Sequence, residues 1–459
     1  MEQAGSSGAT RGGKWFVYAV ACVAALGGLL FGYDIGIISG ALLFIKNDFP
    51  LTPFLTGVVV SSILLGAVIG AGASGGLGDR LGRRKVVLIA AVIFAAGAVG
   101  MALSPNVGVL IFFRVFAGLA VGAASALVPT YISEISPTDL RGSLSSVFQL
   151  AITLGILLAY LVDFALAGAE AWRWMLGLAA APAVVLFVGM YLVPETPRWL
   201  IKNGLMDEAR AVLRRSRGRE DVEGEIEEIR EVEREESKTE VRELLSPWVR
   251  PMLVVGVGLA MLQQFSGINT IIYYAPRIIN HTGIGASTSI LATVGIGVVN
   301  VLFTLVAIWL IDKLGRKKLL LFGLTGMTIG TIVLGLGFVL PSLSGIVSWV
   351  TLGAMLLYIA SFAASFGPIV WVMLPEIFPL QVRGSGVGAS SLSNWVANFI
   401  VALLFPVLIA ALGQTPVFWG LGAICVLSMI FIYFVVPETM GRSLEEIEGA
   451  LRQGATAKA

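Results

Sequence analysis

Two ionisable side chains stand in stretches that are otherwise apolar, glycine or hydroxyl: Asp34 in GGLLFGYDIGIISG, residues 27–40, and Arg114 in FFRVFAGLAVG, residues 112–122. A carboxylate away from water must either carry a proton or have a cation beside it. Arginine favours the ionised acid, and loss of that contact favours the neutral one. A pair of this kind can therefore take up and release a proton.

A second set of candidates is polar but uncharged. Gln149, Gln263, Gln264, Asn269, Asn300, Asn394 and Asn398 are carboxamides inside apolar runs, and Phe31, Tyr273, Tyr274, Trp371 and Trp395 supply aromatic surface nearby. An amide donates and accepts hydrogen bonds, and a ring covers a weakly apolar face, so the set suits a small polyhydroxylated ligand such as a sugar. Amides of this kind also bond neighbouring helices in membrane bundles. The apolar runs hold no cluster of His, Cys, Asp and Glu, so neither a metal site nor an enzyme is expected, and no cofactor is implied. Cys22 and Cys425 lie far apart in apolar runs and suggest no disulfide. Asp163 reads as interfacial, and the lone histidine, His281, as a surface residue without a proton role.

The elements that must position these residues follow from composition. The 459 residues are 57% hydrophobic and only 13% charged, with a mean hydropathy of +0.89, against roughly a quarter charged in soluble domains. That predicts an all-α membrane protein. Apolar runs predict spans near 15–44, 54–78, 86–103, 107–132, 144–167 and 174–193, and again near 250–280, 287–311, 319–340, 346–373, 385–412 and 416–436. Between the two sets, RRSRGREDVEGEIEEIREVEREESK is dense in charge of both signs, with Val222, Ile226, Ile229 and Val232 at helical spacing. Short amphipathic surface helices are expected there rather than a nucleic-acid site. The division is a tail at 1–14, a six-helix half at 15–193, a helical linker at 194–249, a second half at 250–436 and a tail at 437–459.

Lys and Arg crowd the connections after even-numbered spans, as at 80–85 and 313–318, while SPNV, PSLSG and GQTP after odd-numbered spans carry no charge. By the positive-inside rule both termini and the linker are cytoplasmic. Asp34 then lies about 18 Å below the outer end of span one and Arg114 about 10 Å below that of span four, within reach of each other.

The halves also echo one another. GDRLGRRK, EISPTDLRG and PET at 78, 134 and 194 return as IDKLGRKK, EIFPLQVRG and PET at 311, 376 and 437, offsets of 233, 242 and 243. Nearly constant spacing implies two repeats about an axis along the membrane normal, with a ligand site between them near the midplane; the interruption of span seven at SGINT points to the same place. Asp79, Arg83, Glu134 and Arg141, and their echoes Asp312, Arg316, Glu376 and Arg383, could form ion pairs (Glu134 with Arg141, Glu376 with Arg383) that latch the cytoplasmic ends and break when that side opens. The alternative is that these charges only set topology.

GDRLGRR, the RG after SEISPTDL, PETPRWL, QQFSGIN, GPIVWVMLPEIFP and PETMGRSLEEIE, taken in order, resemble the sugar porters of the major facilitator superfamily over about residues 20–450. Among them the chain is most similar to bacterial glucose/proton symporters, and is similar also to xylose, galactose and inositol symporters. The resemblance implies a monosaccharide ligand held by Gln149, Gln263, Gln264, Asn269, Asn300, Trp371 and Asn394. It implies proton coupling at Asp34, where many facilitators carry asparagine, and ties Glu195, Arg198 and Glu438 to the cytoplasmic charge network. Xylose symporters carry a second glutamine where this chain has Ile156, which argues against a strictly pentose-specific pocket. A multi-pass monomer in the cell membrane is expected, with protons, a sugar and lipid as its partners and no nucleic acid. A proton-independent uniporter and a sugar receptor are the alternatives.

Overall fold

The computed structural model describes residues 11–137, 140–236, 244–339, 346–379 and 381–441. Five helices cross in succession: α1 (Arg11–Asp48), α2 (Pro53–Leu81), α3 (Arg83–Ala102), α4 (Val107–Ile135) and α5 (Arg141–Ala167). The sixth crossing is made of α6 (Trp172–Gly177) and α7 (Ala180–Leu192). Short helices α8 (Pro197–Lys202), α9 (Met206–Arg217) and α10 (Glu223–Glu236) follow, with Val222 and Ile226 buried beneath them. The second half comprises α11 (Arg250–Phe265) with α12 (Ile268–Asn280), α13 (Ala286–Leu314), α14 (Arg316–Gly337), α15 (Val347–Ala363) with α16 (Phe366–Ile377), α17 (Arg383–Leu412) and α18 (Gln414–Val435). Among the described residues, twelve helical segments are long and apolar enough to cross a membrane.

Two crossings in the second half are broken, each for a local reason. Between α11 and α12, Gly267 sits at φ +90°, and a Cβ there would lie 2.7 Å from Leu421, so both backbone and space require glycine. Between α15 and α16 the break falls at Ala364–Ser365, just before the Gly367–Pro368 pair whose ring and missing N–H weaken the helix.

Helices α1 and α5 lie unusually close. Gly28, Gly32, Gly36 and Gly40 recur every fourth residue on one face of α1, and a Cβ on Gly32 would strike the Ile152 carbonyl of α5. Small residues are what let two backbones approach in this way.

The two ends of the bundle differ. The basic side carries the 78–85 and 311–318 turns and α8–α10; the opposite side is poor in charge. On the charge-poor side the halves touch: a Cβ on Gly57 of α2 would run into the Leu403 carbonyl of α17, and the Tyr160 hydroxyl of α5 donates to the Ile272 carbonyl of α12 at 3.2 Å. Towards the basic side the same faces part. Gly72 and Gly75 of α2 and Gly388 of α17 are exposed with nothing within 4 Å of a Cβ. Leu392 and Val396, which share the helical face of Leu403, are 41% and 39% exposed. The bundle is closed on the charge-poor side and open on the basic one.

Candidate functional site

The amides of the second half form one hydrogen-bonded chain. Asn269 Nδ2 donates to Gln264 Oε1 at 2.9 Å, and Gln264 Nε2 donates to Asn394 Oδ1 at 3.0 Å. Asn394 Nδ2 donates to Gln263 Oε1 at 2.9 Å and to the Ala260 carbonyl at 2.8 Å. Gln263 Nε2 ends the chain on the carbonyls of Phe366 and Gly367, at 2.8 and 3.2 Å. The last two acceptors are carbonyls of the first two residues of α16, just after the break, and each carbonyl oxygen has a second lone pair to offer a side-chain donor. Three amides, Gln263, Gln264 and Asn394, are buried, and each end of the chain rests on one of the two helix breaks.

The remaining candidates surround this chain. Trp395, next to Asn394, packs against Phe31 of α1 with ring centroids 5.2 Å apart, an aromatic contact across the two halves. Gln149 is half-buried on α5 and Asn300 is buried on α13; neither has a side-chain hydrogen bond to the amide chain among the described residues. Trp371 on α16 is 40% exposed. Tyr274 donates to the Ala402 carbonyl at 3.2 Å and stacks on Phe405, so it serves packing. The buried Tyr273 hydroxyl lies near Asn398 and, from the other half, within electrostatic range of Asp34.

Asp34 and Arg114 do meet, and loosely. Arg114 Nη1 stops 4.0 Å from Asp34 Oδ1, Nη2 donates to the Val60 carbonyl at 3.2 Å, and Nε and Nη1 have no hydrogen-bond partner. Arg114 is fully buried and Asp34 nearly so. A buried guanidinium left partly unsatisfied is costly, so this geometry draws an ionised carboxylate towards it.

The basic-side charges pair differently from the expectation. Arg83 bridges Asp79 at 2.8 Å and Glu134 at 3.2 Å, and Arg316 meets Glu376 at 3.3 Å. Each ion pair lies inside one half rather than between halves. The partner seen for Glu134 is Arg83, and that seen for Glu376 is Arg316, because the turns after α2 and α13 fold under α4 and α16. Arg383 Nε donates to the Phe378 carbonyl at 3.3 Å. The side chains of Arg141 and Asp312 lie outside the described residues. The pairs Arg83–Glu134 and Arg316–Glu376 are formed while the basic side is open.

The two PET echoes have a role that charge pairing did not suggest. The Glu195 carboxylate accepts from the Arg84 and Thr196 N–H groups at 3.1 and 3.0 Å, and Glu438 accepts from the N–H groups of Arg316, Lys317, Thr439 and Met440 at 3.0–3.1 Å. Each acid caps the first turn of the helix that follows a basic turn, α3 or α14, where unpaired N–H groups and the helix dipole favour an anion. Gly82 and Gly315, at φ +99° and +86°, admit these carboxylates; a Cβ on Gly82 would strike Glu195, and one on Gly315 would lie 2.8 Å from Glu438. Thr439 Oγ1 also donates to Glu376 Oε2 at 2.6 Å, and Lys202 pairs with Asp79 at 3.1 Å. The recurrence of PET one repeat apart was the sequence signal for this site.

Asp163, near the outer end of α5, does not face solvent: it is fully buried against α1, with Oδ2 accepting the Gly40 N–H at 3.0 Å. His281 is exposed at the end of α12, where partial burial and then the cations Arg277 and Lys46 lower its proton affinity.

A family profile described as "Sugar (and other) transporter" matches residues 20–451. The glucose transporter GlcP of Staphylococcus epidermidis is 47% identical, over 95% of this chain and 97% of its own. The galactose-proton symporter of Escherichia coli strain K12 is 42% identical, over 97% and 96%. The xylose transporter XylE from E. coli, in a structure described as a partially occluded inward open conformation, superposes with a TM-score of 0.83 at 33% identity, covering 94% of this chain and 100% of that one. With a family match over 20–451 and relatives 33–47% identical over nearly the whole chain, the chain belongs to the sugar (and other) transporter family, and its fold is that of the major facilitator superfamily.

Proposed function

We propose that the protein is a secondary active transporter that imports a monosaccharide, glucose foremost, in symport with protons by alternating access. The observation that carries this reading is the chain of amides from Asn269 to Gln263, strung between the two helix breaks and facing a half that holds a buried acid–arginine pair. A glucose transporter and a galactose-proton symporter among the relatives support the ligand class and the coupling.

The positive-inside pattern assigns the basic side, with both termini, to the cytoplasm, so the described conformation faces inward. A sugar entering from outside meets amides whose mutual bonds it replaces with its own hydroxyls, at little net cost because donors and acceptors are exchanged one for one. Phe31 and Trp395 cover the ring from opposite halves, and the sugar thereby favours the conformation in which the halves close around it. Asp34 takes a proton on the outside and releases Arg114; after the halves rock, it loses the proton to the cytoplasm and Arg114 draws it back. Tyr273 of α12, within electrostatic range of Asp34, gives the sugar-binding half a polar group that senses the proton site. The protein functions as a monomer in the cell membrane, and the ion pairs and capping acids on the basic side hold each half rigid as it rocks.

Uptake of labelled monosaccharides into vesicles, with and without an inward proton gradient, tests the reading. Glucose accumulation above equilibrium only with the gradient is the expected result. Downhill entry that ignores the gradient would make the protein a uniporter, and accumulation of a different sugar alone would move the substrate.

A further inference from the structure

We propose that Asp163 is a second proton-binding carboxyl, distinct from Asp34, whose proton is held while the charge-poor side is closed and released when that side opens. The proposal rests on the alternating-access reading above. Asp163 sits one turn from the end of α5 and is 0% exposed. Its Oδ2 accepts one hydrogen bond, from the Gly40 N–H at 3.0 Å, and Oδ1 is sealed from solvent without any partner. It has no ion pair among the described residues, in contrast to Asp34. A Cβ on Gly40 would collide with the carboxyl group, so the glycine stripe of α1 ends in a slot that this side chain fills.

The titratable groups around Asp163 cannot stabilise a charge there. Tyr33 from α1 and Tyr160 from α5 are its electrostatic neighbours. Both hydroxyl hydrogens are committed elsewhere, Tyr33 to the Met175 carbonyl of α6 and Tyr160 to the Ile272 carbonyl of α12, each at 3.2 Å. From α13 it is Gly297, which carries no side chain, that packs on Tyr160; a Cβ there would lie 3.0 Å from its ring. A carboxylate in such a slot would lack both counter-ion and hydration, whereas a neutral carboxyl keeps the Gly40 bond and carries no charge to solvate.

The seal is conditional. Tyr160, one turn below Asp163 on α5, touches α12 and α13, which belong to the other half. When the halves separate on the charge-poor side, the Tyr160–Ile272 bond must break and water gains the outer turn of α5. The acid can then ionise, and closure requires it to be protonated again. Low pH on that side thus favours closing, a control on the outer gate that operates beside the Asp34 cycle.

Difference infrared spectroscopy on the full-length protein in lipid tests this directly, through the carbonyl stretch of protonated carboxyl groups. Asp163→Asn keeps an acceptor for Gly40 and has no acidic proton; should it fold poorly, Asp163→Ser removes the carboxyl and leaves the slot open. The expected result is a protonated-carboxyl band present in wild type and in Asp34→Asn and missing from the Asp163 variant. Gly57→Leu, whose side chain cannot fit against Leu403, holds the charge-poor side open, and in it that band is expected to titrate away at lower pH than in wild type. An Asp163 variant with the full wild-type band at every pH would overturn the proposal, as would a band that titrates identically in Gly57→Leu and wild type. Absence of sugar-driven proton uptake in wild type would instead overturn the symport reading and leave the infrared result standing.

Discussion

Arg114 Nη1 lies 4.0 Å from Asp34 Oδ1 and spends its one hydrogen bond from Nη2 on the Val60 carbonyl. The two groups are near enough to attract and too far apart to be locked, which is the arrangement a proton-releasing pair needs. Asp34→Asn fixes a neutral mimic of the protonated acid, so gradient-driven accumulation should vanish while sugar binding and exchange between the two sides persist. Sugar-induced alkalinisation outside de-energised vesicles reads the loss; wild-type proton uptake in the variant would put the coupling site elsewhere. Because the contact is long, the stability lost should fall below the about 3–5 kcal/mol seen when a tight buried pair is broken.

Gln264 links Asn269 to Asn394 and so holds the middle of the amide chain. Gln264→Ala should weaken sugar binding by about 1–3 kcal/mol, or about five- to 150-fold, since one two-way hydrogen-bonding group is lost. Equilibrium binding of glucose measures this, and unchanged affinity for every transported sugar would count against the site.

Glu438 and Gly315 form one device, an acid seated over a glycine at the start of α14. Glu438→Ala should cost about 1 kcal/mol of stability, as loss of a helix cap does, and Gly315→Ala about 1–3 kcal/mol, because φ +86° with ψ 152° is a backbone conformation essentially confined to glycine. Thermal unfolding in detergent would show both shifts, and Glu195→Ala should match Glu438→Ala if the repeats are equivalent.

Arg83→Ala removes the ion pairs to Asp79 and Glu134, and Arg316→Ala the one to Glu376, each inside one half. Turnover should fall in both while sugar binding persists, because the pairs keep each half rigid as it moves. Normal transport in both would reduce the motifs to topology signals.

The exposed faces of Gly75 and Gly388 must come together when the basic side closes. A leucine at either position fits the open form and obstructs the closed one. Gly75→Leu should therefore bind sugar from the basic side and fail to transport it, which flux assays and sugar binding to inside-out vesicles distinguish.

What the sequence determined by itself is everything that depends on composition along the chain. Twelve crossings were legible because the hydrocarbon requires long apolar runs with their backbone groups paired internally. The repeat was legible from GDRLGRRK, EISPTDLRG and PET, and the break in α11–α12 from Gly267. That Gln263, Gln264, Asn269 and Asn394 belong to one site could be expected, since buried amides in a membrane need partners. Which atom meets which depended on tertiary packing. Arg83 reaches Glu134 across 51 positions, and no spacing rule assigns such a partner (83 to 134). Glu195 and Glu438 read as members of a charge network, and only the fold brought them to the N-termini of α3 and α14, whose unpaired N–H groups exist once the turns at Gly82 and Gly315 have formed. Asp163 is the clearest case: near a helix end its sequence position allows an interfacial acid, and it is the glycine stripe of α1, packed within backbone contact of α5, that turns it inward and seals it.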